Sequence, residues 1–170
     1  MLRSNHYELA FEAFLRGLGV PYVAVDETNR SVLAKGGTIK SLDFLVPSGA
    51  DTTWLVDVKG RRFPGADRQY WKNWSTRDDL MGLSCWEKLF GESFRGLFVF
   101  AYDILGERAP LPLEELFSFR GKHYAFVAIT LERYARNARP LSRAWDTVRV
   151  STPLFRREAV PFRRLVEVVD

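Results

Sequence analysis

Cysteine is almost missing from this chain. Cys85 is the single one among 170 residues, which excludes an intramolecular disulfide and any cysteine-rich zinc site. A lone thiol in helical surroundings such as SCWEKLF reads as a small buried hydrophobe. Histidine is equally scarce, and His6 and His123 are too far apart in sequence to suggest a histidine metal cage by themselves. No apolar run reaches the roughly 18 residues that a bilayer-spanning helix needs. Glu8 and Glu12 fall where a secretory leader would require an uncharged apolar segment, so a cytoplasmic location is expected. Internal repeats, low-complexity tracts and long linkers are also lacking. Hydrophobic residues make up 46% and charged residues 27%, which excludes a disordered chain and suits a globular one with a full core. One domain over 1–170 is expected, with a core at 1–104 and an extension, 105–170, packed on it.

The net charge of +4 is unevenly distributed. Residues 1–107 hold 13 Lys+Arg against 14 Asp+Glu, and residues 108–170 hold 12 against 7. Nearly all the positive charge of the second part is arginine, which suits bidentate phosphate contacts. Charge alone fits either a solvated basic surface or an anionic partner such as nucleic acid.

The periodicity of NHYELAFEAFLRGL predicts a helix over 5–18, capped by Asn5 or Ser4 and ended by Gly17 and Gly19. PYVAV (21–25), TIKSLDFLV (38–46) and TTWLVDVKG (52–60) read as three strands, with turns at Gly36-Gly37 and at Pro47 to Asp51. A long aromatic loop over 60–77 precedes a helix over 78–92, with Asp78 or Asp79 near its start. RGLFVFAYDI (95–104) is a buried strand, FSFRGKHYAFVAI a hairpin turning at Arg120-Gly121-Lys122, and LERYARNA a short helix.

Strand alternation puts Asp57 and Lys59 on one face, with Val56 and Val58 on the other. A half-exposed structural ion pair would account for them. Asp43, on the preceding strand, adds a second acid in an apolar setting, where a charge is costly unless paired or holding a metal. A hairpin between 42–46 and 54–58 can bring Asp43 beside Asp57. Adjacent carboxylates repel unless a cation neutralises them, and Mg²⁺ takes one or two carboxylates, completing its shell with water and phosphate oxygens.

Asp43, followed fourteen residues later by Asp57-Val58-Lys59, resembles the D…(D/E)xK motif of the PD-(D/E)xK nuclease superfamily, which includes type II restriction enzymes and archaeal Holliday-junction resolvases. The resemblance covers about the first three-fifths of the chain. It departs from the pattern at Leu42, where proline is common, and at Asp57, where glutamate is at least as common. It implies an α/β (α+β) restriction-endonuclease-like fold: helix, three-strand meander, helix and strand, with a mixed central sheet flanked by helices; the C-terminal β-hairpin and basic extension, read from the residues themselves, follow it. The implied activity is Mg²⁺-dependent hydrolysis of DNA phosphodiesters, with Mn²⁺ as substitute. Asp43, Asp57 and the Val58 carbonyl would hold the ion, Glu8 a second ion or a metal-bound water, and Lys59 the nucleophilic water. Glu12, one turn along the helix, competes with Glu8 for that part. Resolvases act as dimers, since a four-way junction has two-fold symmetry, so a homodimer is allowed here.

Around the motif, Arg61, Arg62, Lys72 and Arg77 are candidate phosphate contacts. The interleaved Gln69, Tyr70, Trp71 and Trp74 either stack on unpaired bases or pin the loop to the domain. A repeated Phe-Arg-Arg, at 155–157 and 162–164, is a phosphate-binding edge or a dimer-forming segment. A nuclease fold without turnover, holding nucleic acid or a protein, is the competing function.

Overall fold

In a computed structural model of the chain, which describes residues 5–25, 42–65 and 67–166, the first helix begins where the sequence signals it. The Asn5 side chain accepts a hydrogen bond from the Tyr7 N–H, and α1 spans His6–Leu18. Gly19 closes it with φ of 70°, the left-handed region that glycine enters without strain. Strands β1 (Val23–Ala24), β2 (Phe44–Ser48) and β3 (Thr52–Phe63) follow as an antiparallel meander. The expected Gly36-Gly37 turn and residues 38–41 of the expected second strand lie outside the described residues. Asp43 sits just ahead of β2 rather than within it.

β3 runs on past the expected end, to Phe63, because its partner on the other side is long. After β4 (Ser75–Thr76) and α2 (Arg77–Phe90), the chain returns as β5 (Phe94–Ile104), parallel to β3 from Thr53↔Phe94 to Phe63↔Ile104. A parallel return needs a crossover, which α2 provides. β6 (Phe117–Phe119) and β7 (Lys122–Thr130) form the expected hairpin, with Arg120 and Gly121 both at positive φ in its tip. Helix α3 (Leu131–Asn137) leads to β8 (Arg139–Ser142) and β9 (Thr147–Arg149), then α4 (Thr152–Glu158), β10 (Val160–Pro161) and α5 (Arg163–Val166). The main sheet has the order β1-β2-β3-β5-β7-β10, with β6 also on β7; β4, β9 and β8 form a second, small sheet.

The main sheet is covered on both faces. Phe11 and Leu15 of α1 meet Phe44, Val56, Val58, Val99 and Phe126 on one side. On the other, Leu83, Leu131, Tyr134 and Phe155 meet Leu55, Phe98, Phe100 and Tyr102. Each fully buried large apolar side chain contributes about 1.5–3 kcal/mol. The two Phe-Arg-Arg repeats do different work from a charged edge alone: Phe155 and Phe162 are fully buried on opposite faces of the sheet, while their four arginines stay exposed. Cys85 on α2 is half-buried. Among the described residues no helix is long and apolar enough to cross a membrane.

Candidate active site

β3 alternates as its sequence requires. Trp54, Val56 and Val58 belong to the core beneath α1, and Leu55 and Phe63 to the core beneath α2. Asp57, Lys59 and Arg61 share the parity of Leu55 and Phe63, so they face α2. The pairing Phe44↔Val56, carried one step further, sets Asp43 opposite Asp57. Asp43 is buried, its N–H donates to the Val56 carbonyl, and its carboxylate Oδ2 accepts from the Val58 N–H at 2.7 Å. The Asp43 carboxylate is therefore held by the β3 backbone one residue beyond Asp57.

Lys59 lies between two carboxylates. Its Nζ is 3.1 Å from Asp57 Oδ2 and 2.6 Å from Asp79 Oδ2, and it rests 5.6 Å from the centroid of the Phe98 ring. The Asp79 side chain is only 4% exposed and that of Lys59 10%, so this pairing is little screened by water. Asp79 also accepts from Ser75 Oγ at 3.3 Å and closes a capping box with Thr76 at the start of α2. Sequence reasoning found Asp79 only as a helix-start residue. The T-x-x-D spacing signals the cap, and nothing local signals the partner twenty residues back along the chain.

The first turn of α1 reaches the same end of β3. Its Tyr7 ring lies so close over Gly60 that a Cβ there would come within 2.0 Å of Tyr7 Cδ2. Glu8, the next residue, is buried, whereas Glu12 is paired with the exposed Arg16 at 3.6 Å. Among the described residues, no three Asp, Glu, His or Cys side chains are grouped as a ready-made metal cage. What the donors fit is the other mode of a hard divalent ion, one or two carboxylates with water and phosphate oxygens completing the shell. Asp57 and Asp79 share the Lys59 ammonium, and the Asp43 carboxylate accepts from the Val58 N–H.

The basic residues are dispersed. Arg61, on the Lys59 face, is half-buried: it donates to the carbonyls of Gly60 and Trp74 and lies 3.9 Å from the centroid of the Trp74 ring. Burial pushes its pKa down, and its Nε has no hydrogen-bond partner. Arg62 is exposed and alternates to the opposite face. Lys72 pairs with Asp67 at 3.2 Å, and Arg77 with Asp146 at 3.1 Å. Of the loop aromatics, Tyr70 and Trp71 pack edge-on against Phe63 and pin the loop, while Trp74 is 38% exposed. Gln69 is exposed.

No family model matches the chain, and no curated protein matches it in sequence. In structure it is similar to Hjc of Archaeoglobus fulgidus, a Holliday junction resolvase from an archaeal hyperthermophile. The TM-score is 0.55 and the identity 12%, over 94% of this chain and 96% of that one. At that identity the likeness establishes the fold alone, a restriction-endonuclease-like architecture with a mixed central sheet flanked by helices.

Proposed function

We propose that this protein is a metal-dependent deoxyribonuclease acting on DNA, with branched or junction DNA as its natural class of substrate. The observation that carries the reading is the Lys59 ammonium, seated between Asp57 and Asp79 and beside the Asp43–Val58 hydrogen bond, on a nuclease-type sheet. Asp43, Asp57 and the Val58 carbonyl would hold Mg²⁺, or Mn²⁺ in its place, and Glu8 would take a second ion or a metal-bound water. Such an ion, when bound, polarises the phosphoryl oxygen and makes its bound water a competent nucleophile near neutral pH.

The chain's own groups do the rest. Lys59 Nζ donates a hydrogen bond to the attacking water or to a non-bridging phosphate oxygen, offsetting charge that grows in the transition state. Asp79 holds that ammonium in place. Displacement is in line, with no covalent enzyme intermediate. Arg61, Arg62, Lys72 and Arg77 contact flanking phosphates, the last two by exchanging Asp67 and Asp146 for them. A cytoplasmic location and a homodimer matched to the two-fold symmetry of a four-way junction accompany this reading.

The test is cleavage of labelled single-stranded, duplex, flap and four-way-junction DNA with Mg²⁺, Mn²⁺ or EDTA. Metal-dependent cutting, strongest on a branched form, is expected. Salt-sensitive binding without cutting under any metal would replace the nuclease with a nucleic-acid-binding module of the same fold.

A further inference from the structure

The small sheet beside the site has a feature that folding alone does not explain. Arg139 of β8 and Arg149 of β9 are directly opposite each other in an antiparallel pair. Both are exposed, and among the described residues neither forms an ion pair; Arg139 donates only to the Ala138 carbonyl beside it. Like charges opposed across two strands are destabilising, and an anion between them would remove that cost. Arg149 also lines a cavity of about 340 Å³ with Tyr70, Lys72, Trp74, Leu141 and Thr152.

That cavity has the chemistry of a nucleotide seat. Trp74 is fixed by the guanidinium of Arg61, 3.9 Å from its ring centroid, and still leaves 38% of its surface exposed. The cavity walls are rigid: Asn73 exchanges two hydrogen bonds of 2.9 Å with the Val150 backbone, Tyr134 Oη donates to the Asn73 carbonyl, and Tyr102 Oη to that of Lys72. It is also continuous with the catalytic strand, since Ser75, the next residue after Trp74, bonds to Asp79, which holds Lys59.

We infer that this groove binds an unpaired nucleotide of the DNA substrate, its base stacked on Trp74 and its phosphate held by Arg149 and Arg139. The inference rests on the nuclease reading for its occupant. It gives that reading a substrate preference: DNA with a single-stranded segment next to the scissile phosphate. An aromatic platform with flanking arginines is the usual arrangement for holding single strands without reading sequence.

The test is fluorescence anisotropy in EDTA, with labelled oligothymidylate and a hairpin duplex, on the full chain and on Trp74→Ala, Arg149→Gln and Arg139→Gln. Trp74→Ala and Arg149→Gln are expected to weaken oligothymidylate binding about tenfold or more while leaving the duplex nearly unaffected. Arg149→Gln should also flatten the salt dependence by about 0.7 in log–log slope. At the same time either arginine substitution should raise the unfolding midpoint slightly, because it removes the opposed charge; a structural arginine would move it the other way. Equal losses on both DNAs, unchanged oligothymidylate binding in the variants, or no oligothymidylate binding by the wild type would overturn the inference. Because no metal is present, the result is independent of cleavage: groove-dependent binding by a protein that never cuts would refute the nuclease and leave the nucleotide seat standing.

Discussion

Removing the Asp79 carboxylate leaves Lys59, with its side chain only 10% exposed, facing Asp57 alone. Breaking a little-exposed ion pair from one side costs about 3–5 kcal/mol, since the remaining charge keeps its desolvation penalty. Asp79→Ala also removes the acceptor that completes the Thr76 capping box, about 1 kcal/mol more. Asp57, 3.1 Å away, compensates part of this, so the net loss for Asp79→Ala should be about 3 kcal/mol. Asp79→Asn keeps an acceptor for Ser75 and Thr76 and should lose roughly 1–2 kcal/mol. Urea unfolding followed by tryptophan fluorescence reads both, and a cycle with Lys59→Met should give a coupling of about 1–3 kcal/mol. In single-turnover cleavage Asp79→Asn should lower the rate while substrate affinity holds, because Lys59 is misplaced and no DNA contact is lost. Stability of Asp79→Ala within about 0.5 kcal/mol of wild type, or coupling below that figure, would refute the claim that Asp79 holds Lys59.

Gly60→Ala puts a Cβ 2.0 Å from Tyr7 Cδ2 and should destabilise by about 1–3 kcal/mol or more; a melt coincident with wild type would show that α1 can move freely off β3. Asn73→Ala leaves the Val150 N–H and carbonyl without their 2.9 Å partners. About 2–4 kcal/mol should be lost, with fast amide exchange at Val150 as the local sign. The pKa of His6 is held below 6.5, by burial first and by Lys122 next. On acidification the unfolded chain takes up this proton before the folded one. The contribution of His6 is therefore present above pH 6.5 and lost as pH falls through the lower folded value. His6→Gln should flatten the acid limb of the stability profile, and an NMR titration placing His6 above 6.5 would contradict the sign.

Much of this arrangement was legible because its causes are local. The Asn5 cap, the Gly19 stop, the β3 alternation and the Arg120-Gly121 turn each depend on residues within one turn or one strand. The motif gave Asp43, Asp57 and Lys59 their neighbourhood for the same reason, since a two-strand hairpin sets it. Asp79 could not be seen that way: its contact with Lys59 exists only because the parallel β3–β5 pair carries α2 back across the sheet. β4 has two residues, too few for any period, and finds β9 more than seventy residues later. The Phe-Arg-Arg repeats look alike in sequence but bury their phenylalanines on opposite faces, because β10 crosses the sheet edge between them. Arg61 was expected as a phosphate contact; that the longer β3 also sets its guanidinium over Trp74 had no local signal.

The most direct measurement is single-turnover cleavage of a labelled four-way junction by wild type and by Asp57→Asn, prepared identically, with circular dichroism confirming that both are folded. The account requires Mg²⁺-dependent cutting by the wild type, reduced at least a hundredfold in Asp57→Asn, an order of magnitude set by losing about 3 kcal/mol of transition-state stabilisation. Equal cutting by the two proteins would place the activity elsewhere, and a folded wild type that cuts no DNA form with any divalent ion would contradict the account outright.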